Sequence, residues 1–210
     1  MVRQNQRGVK IGRRLPRRRG QFCTPKHTVL VHAAAGGVGL LLGQWLAPIG
    51  ATAIGTAGTA EKCALAHSHG YAHVINYRAQ DFVAEVAAIT AGKGVAVVYV
   101  SVGQDTWRGS LKCLSPRGMF VSFGQSSCKI TDFSMQDLAT HGSLSANRPV
   151  LFYYIADRSE LMGRSSDLFS KIKLGTLRLD FATTLPLRQA ADAHRALEAR
   201  QTTGSTVLLP

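Results

Sequence analysis

The sequence predicts an α/β fold, a doubly wound parallel β-sheet covered by helices on both faces in three layers. Three observations predict it. From Thr28 onward, short Val- and Ile-rich runs alternate with longer stretches of helical periodicity. The runs are apolar throughout instead of alternating, as strands buried on both faces must be. A glycine-rich string also separates the first such run from the first helical stretch, the arrangement of a strand–turn–helix unit.

Each element has its own signal. Thr28–Ala33 reads as a buried strand, and Val38–Ala47 as a helix apolar almost all round, suited to lying between a sheet and a further layer. Thr52–Thr56 is a second strand. Thr59 supplies an N-cap for a helix running to about His69, where Gly70 stops it. His73–Tyr77 is a strand, and Asp81 caps the helix Phe82–Thr90. Gly94–Val102 is the longest β-type run. It is followed by a helix over Asp105–Leu114 and a strand over Gly118–Phe123. Beyond Gly124 the spacing loosens. The pattern predicts a helix at Phe133–Thr140 and a strand at Ser143–Arg148 ended by Pro149. A long helix follows from about Arg158 to Lys173, closed by Gly175. Leu185–Leu187 reads as extended, Arg188–Ala199 as helix and Ser205–Leu209 as a final strand.

Charge divides the chain in two. The 210 residues carry a formal charge of +13. Nine of the 25 basic residues fall within residues 1–26, which hold no acid. That leaves 16 basic against 12 acidic residues in 27–210. The basicity therefore belongs to a tail, expected to be disordered because its like charges repel and it has no apolar periodicity. Such a tail suits a solvated extension, a transit peptide, or attachment to nucleic acid or anionic lipid by counterion release. The domain 27–210 is close to neutral and gives no reason of its own to expect nucleic acid. No stretch is apolar for long enough to span a bilayer, since Leu40–Ile49 is broken by Gly43, Gln44 and Pro48. Cys23, Cys63, Cys113 and Cys128 stand apart, without metal-ligand spacing, as reduced thiols in a cytoplasmic protein would.

The string His32-Ala-Ala-Ala-Gly-Gly-Val-Gly39 carries the chemistry. Set between a buried strand and a helix, it can lay a pyrophosphate against free backbone N–H groups at the positive end of a helix dipole. It is a variant of Gly-x-Gly-x-x-Gly with Ala34 in the first position, acceptable there if that residue avoids positive φ. This is the signature of a Rossmann-type dinucleotide-binding domain. The end of the second strand narrows the ligand. An NAD site places Asp or Glu about 20 residues on, to accept from the ribose 2′-hydroxyl. Here Gly55-Thr-Ala-Gly-Thr-Ala-Glu-Lys62 has only Glu61, already inside the helix. Nothing at the strand end repels a 2′-phosphate, and Lys62 on the first helical turn can meet one. NADPH is therefore the expected cofactor.

Taken in order, several segments resemble the bacterial NADPH:quinone oxidoreductases, the zinc-free, zeta-crystallin-like branch of the medium-chain dehydrogenase/reductase superfamily. They are His32–Gly39, Gly55–Gly58, Val74–Arg78, Val98–Gly103, Val121–Gly124 and Arg200–Pro210. The resemblance covers nearly all of 28–210. It implies that Gly36, Gly37, Val38 and Gly39 lie along the pyrophosphate and that Gly58, Lys62 and Tyr77 surround the 2′-phosphate. It implies further that Ser101 and Val102 flank the cofactor, that Phe123, Gly124, Gln125 and Ser126 approach the nicotinamide, and that Arg200 contacts the cofactor. The family reaction passes hydride from NADPH to a quinone or enone with no zinc or flavin. The family also dimerises by edge-strand pairing, for which Ser143–Arg148 is the candidate here.

The chain departs from the family pattern at Val100, where an Asp often precedes Ser-Val-Gly, and at Cys128, where Gly is usual. The resemblance also implies a missing element: relatives begin with a GroES-like catalytic domain, so this chain is expected to be a truncated member. Alternatives are a non-catalytic NADPH-binding module and a nucleic-acid binder acting through the tail. No general acid, base or nucleophile is identifiable. His32, His67, His69, His73, His141 and His194 show no shared metal motif and are read as structural or surface residues.

Overall fold

The computed structural model describes residues 23–179, 181–199 and 201–210. Residues 1–22 of the expected tail lie outside the described residues. Within the remainder of that stretch, Cys23 is already buried in the core.

Six strands form one parallel sheet: β1 (Thr28–Val31), β2 (Thr52–Ala57), β3 (His73–Asn76), β4 (Val95–Val100), β5 (Leu114–Ser122) and β6 (Ser145–Asn147). Their spatial order is β3-β2-β1-β4-β5-β6. The chain therefore winds outward in one direction from β1 to β3, crosses back beside β1, and winds the other way. The crossovers are α1 (Gly37–Leu46), α2 (Ala60–His67), α3 (Phe82–Ile89), α4 (Trp107–Cys113) and α5 (Met135–Thr140). Their packing produces two apolar cores. On one face Leu30, Ile54, Val98 and Phe120 meet Val86 of α3, Trp107 and Leu111 of α4, and Leu138 of α5. On the other, Val29, Val31, Ala53, Val97 and Val121 meet Leu46 of α1, Ala66 of α2 and Tyr71. Neighbouring residues of one strand thus serve opposite cores, which is why the strands are apolar throughout. This is the three-layer, doubly wound sheet that the alternation predicts.

The expected caps form. Thr59 accepts from the Lys62 N–H at the start of α2, and Asp81 accepts from Val83 N–H at the start of α3. Other boundaries shift. Helix α4 stops at Cys113 and β5 begins at once, four residues before the expected Gly118. The register against β4 then slips between Val95 and Val97. Pro116 has no N–H for the ladder and Arg117 takes a φ of 64°, so this first part of β5 bulges out of regular pairing.

Beyond β6 come a short helix α6 (Leu151–Tyr154), α7 (Arg158–Lys173), β7 (Phe181–Pro186), α8 (Ala190–Glu198) and β8 (Ser205–Leu209). Strands β7 and β8 pair in parallel as a separate two-stranded sheet and do not extend the main one. No helix among the described residues is long and apolar enough to cross a membrane.

Candidate cofactor-binding site

The turn between β1 and α1 sits at the carboxyl end of the sheet, beside the point where strand order reverses. Helix α1 has Gly36 as its N-cap. No side chain caps this end, and no acid stands in the first turn. The first N–H groups of α1 therefore have no side-chain cap, and the positive end of the helix suits an anion. The turn's left-handed residue is Ala33, with φ 55°, so Ala34 avoids the strained region as the motif requires.

Glycine is required at Gly39 because a Cβ there would stand 2.4 Å from Ala33 O and 2.7 Å from Ala34 O, both backbone atoms. The same packing explains Gly43 and Gly55. The Tyr71 ring fills the space between them, and its hydroxyl donates to Gly39 O at 2.7 Å. Burial pushes the Tyr71 phenol far above its ordinary range, so it serves as a fixed neutral donor holding α1 against β2.

A second corner lies at the ends of β2 and β3. The Tyr77 ring leans over Gly58 so closely that a Cβ on Gly58 would be 2.8 Å from the Tyr77 hydroxyl. Lys62 is half-buried on the first turn of α2, directly after the Thr59 cap. Gly58 and Tyr77 are thus brought into contact, with Lys62 on the helix that starts beside them. Glu61 is exposed at the same helix start. Its hydrogen bond with the Thr59 side chain holds its carboxyl below the usual range, so it is ionised at neutral pH.

The third group assembles at the ends of β4 and β5. The Phe123 and Gly124 N–H groups both donate to Val100 O, and the Ser126 N–H donates to Ser101 O at 3.1 Å. A Cβ on Gly124 would come within 2.6 Å of Ser101 O. Ser127 binds Val102 O through both its N–H and its hydroxyl. Ser101, Val102 and Phe123–Ser126 therefore form one backbone-bonded unit. The Ser101 hydroxyl ties it to His32 O at 3.4 Å. Gly124 and Gln125 also border a cleft of about 440 Å3 with Phe120, Ile130 and Phe133 along its apolar side.

Arg200 lies outside the described residues. The strand that follows reaches the turn nonetheless. The Gly204 N–H donates to Ala35 O at 2.9 Å, and the Ser205 hydroxyl occupies the place of a Cβ on Gly37. This contact is absent from the sequence reading, although Thr203-Gly-Ser205 lies within a segment singled out there. His32, read from the sequence as a structural or surface residue, is structural, and its partners are what the sequence did not disclose. It is buried and bonded on both ring nitrogens, and burial lowers its pKa to about 4. A lone polar residue ending an apolar strand is the available signal, because a buried imidazole must find partners.

Burial raises the thiols of Cys23 and Cys63, and that of Cys113 to about 12, which makes all three poor nucleophiles. Among the described residues, no three His, Cys, Asp or Glu side chains form a group that could hold a metal ion.

These features define a Rossmann-type dinucleotide-binding domain with a glycine turn opening α1, an acid-free strand end after β2 and a backbone-bonded loop at the ends of β4 and β5. Comparison with known proteins places it more closely. The family profile described as zinc-binding dehydrogenase matches residues 37–163. The chain is 48% identical over 187 residues to 2-haloacrylate reductase of Burkholderia sp., aligning 89% of this chain with 56% of that protein. It is likewise 48% identical over 188 residues to quinone oxidoreductase 1 of Escherichia coli (strain K12), across 89% of this chain and 58% of that one. The crystal structure of Escherichia coli quinone oxidoreductase complexed with NADPH superposes with a TM-score of 0.86 at 48% identity, covering 89% of this chain and 58% of that chain. The chain belongs to the zinc-binding dehydrogenase family, within its quinone oxidoreductase branch. It spans a little over half the length of these relatives. Despite the family's name, the described residues present no donor set that fits zinc.

Proposed function

We propose that this chain is the NADPH-binding part of an oxidoreductase that passes hydride to a quinone or related enone. The observation that carries the reading is the corner at the end of β2. There Gly58 and Tyr77 stand in contact, Lys62 follows on the first turn of α2, and no carboxylate ends the strand. A 2′-phosphate suits that corner, while a free ribose hydroxyl finds no acceptor there of the NAD type. The turn at Gly36, Gly37, Val38 and Gly39 would hold the pyrophosphate with backbone N–H groups, and Arg200 would reach the cofactor from the carboxyl-terminal segment.

Bound NADPH would supply a hydride, which with one proton from solvent would convert the quinone to its hydroquinone. The residues of this chain bind and orient. Ser101, Val102 and Phe123–Ser126 form the wall on the nicotinamide side, and the apolar cleft beside Gly124 gives a flat ring a place to dry against. The test is quinone-dependent oxidation of NADPH by the full chain, followed with several quinones and enones. Turnover supports the oxidoreductase reading. Tight NADPH binding without turnover of any acceptor supports instead a module that binds cofactor alone.

We propose also that β6 pairs with a second copy of the chain. Ser145 and Ala146 are exposed at the end of the sheet order, and Leu151, Phe152 and Tyr153 beside them are 65%, 76% and 84% exposed. Light scattering should give the mass of a dimer, and a monomer at all concentrations would contradict this.

A further inference from the structure

Hydride chemistry makes no use of the side chain directly beneath the turn. His32 lies between the last residue of β1 and the left-handed Ala33, and is 2% exposed. Its ring meets the Phe82 ring edge-on at 5.1 Å. Nε2 stands 2.9 Å from the Ser110 hydroxyl on α4, and Nδ1 3.1 Å from the Thr56 hydroxyl on β2. The direction of both bonds follows from a third. Ser110 donates its own proton to Thr106 O at 2.7 Å, so it has only lone pairs to offer the imidazole. Nε2 therefore carries the ring proton, Nδ1 is the acceptor, and the Thr56 hydroxyl donates to it.

Each anchored element leads to a different part of the site. His32 precedes the pyrophosphate turn, Thr56 stands two residues before Gly58, and Ser110 lies on the helix that follows the Ser101–Val102 loop. The Ala34 N–H adds a backbone bond to Thr56 O at 2.9 Å. The side chain of His32 ties all three together at a single point.

We propose that His32 is a positioning residue for cofactor selection. By bridging Thr56 and Ser110 it fixes the separation between the pyrophosphate turn and the corner formed by Gly58, Lys62 and Tyr77. This rests on the reading that the turn holds a dinucleotide. A cofactor held at both places senses that separation, whereas one held only by its pyrophosphate does not. NADPH is of the first kind and NADH of the second.

The experiment measures NADPH and NADH affinity by titration of the full chain and of the Thr56→Val, Ser110→Ala, His32→Leu and Thr56→Ser variants, with thermal unfolding in parallel. Thr56→Val keeps the shape of the side chain and removes the donor to Nδ1. It should lower the NADPH-to-NADH affinity ratio about fivefold, as expected for one buried hydrogen bond, while NADH binding stays nearly constant. Thr56→Ser should restore the ratio. If His32→Leu does not fold, the Thr56 and Ser110 variants carry the test. A fall in both affinities by the same factor, in step with the melting temperature, would overturn the proposal by showing a merely structural role. An unchanged ratio in Thr56→Val would also overturn it while leaving the cofactor reading intact. Failure of the unaltered chain to bind either cofactor would overturn both.

Discussion

Acidification should destabilise the fold through one buried ring. His32 has an ordinary pKa of 6.5 that burial lowers to about 4. The folded state therefore favours the neutral imidazole, and as pH falls the unfolded chain takes up the proton first. The contribution of this ring to stability is fully present above pH 6.5 and is lost as pH falls towards 4. Between pH 7.5 and 5.0 the loss comes to about 2 kcal/mol, and its ceiling below pH 4 is about 3 kcal/mol. The assay is urea unfolding at several pH values across that window, on the unaltered chain and on His32→Gln, which retains a donor and an acceptor but does not titrate. Glu61, Asp132, Asp137 and Asp157 have carboxyls held below their usual range, so their contributions fade only at lower pH. The other histidines are common to both proteins and cancel in the difference. The unaltered chain should lose about 2 kcal/mol more than the variant. Parallel pH profiles, agreeing within about 0.5 kcal/mol, would refute the assignment of His32 as a buried neutral bridge.

Further substitutions probe each corner. Lys62→Ala should weaken NADPH binding about tenfold and leave NADH binding nearly unchanged, the signature of a lost charge-assisted contact to the 2′-phosphate; equal losses would contradict that placement. Glu61→Gln removes an ionised carboxylate from the same helix start. It should therefore tighten NADPH about two- to threefold relative to NADH at low salt, an effect that shrinks as salt is added. Gly39→Ala places a methyl against Ala33 O and Ala34 O, so α1 must move away from the turn. Urea unfolding should register a loss of about 1–3 kcal/mol, and titration should show both cofactors weakened together.

Much of this architecture was legible in the sequence because its signals are local. The apolar run at β1, the glycines after it, the Thr59 and Asp81 caps and the strand–helix alternation all act within a few residues, and the six-stranded sheet follows from them. What the sequence did not disclose depends on long-range choices. A half-apolar strand signals that it will pair but not with what, so the pairing of β7 with β8 apart from the main sheet was hidden. Pro116 and Arg117 bulge the start of β5, where helical and extended patterns overlap, and the boundary moved accordingly. The short helix α6 leaves most of its apolar residues exposed, so burial periodicity gave no sign of it. At the site, the glycine turn, Gly58, Tyr77 and the Ser101–Ser126 unit were readable as motifs. The partners of His32 lie 24 and 78 residues away along the chain, and no local pattern announces a contact made across the sheet.

On the proposed reading, the corner of Gly58, Lys62 and Tyr77 selects a 2′-phosphorylated cofactor for the turn at Gly36–Gly39. The most direct test of that reading is parallel titration of the full chain with NADPH and NADH at one fixed salt concentration. NADPH should bind at least about tenfold more tightly, the equivalent of one charge-assisted contact, and the preference should decline as salt rises. Equal affinities for the two cofactors, or a preference for NADH, would contradict it.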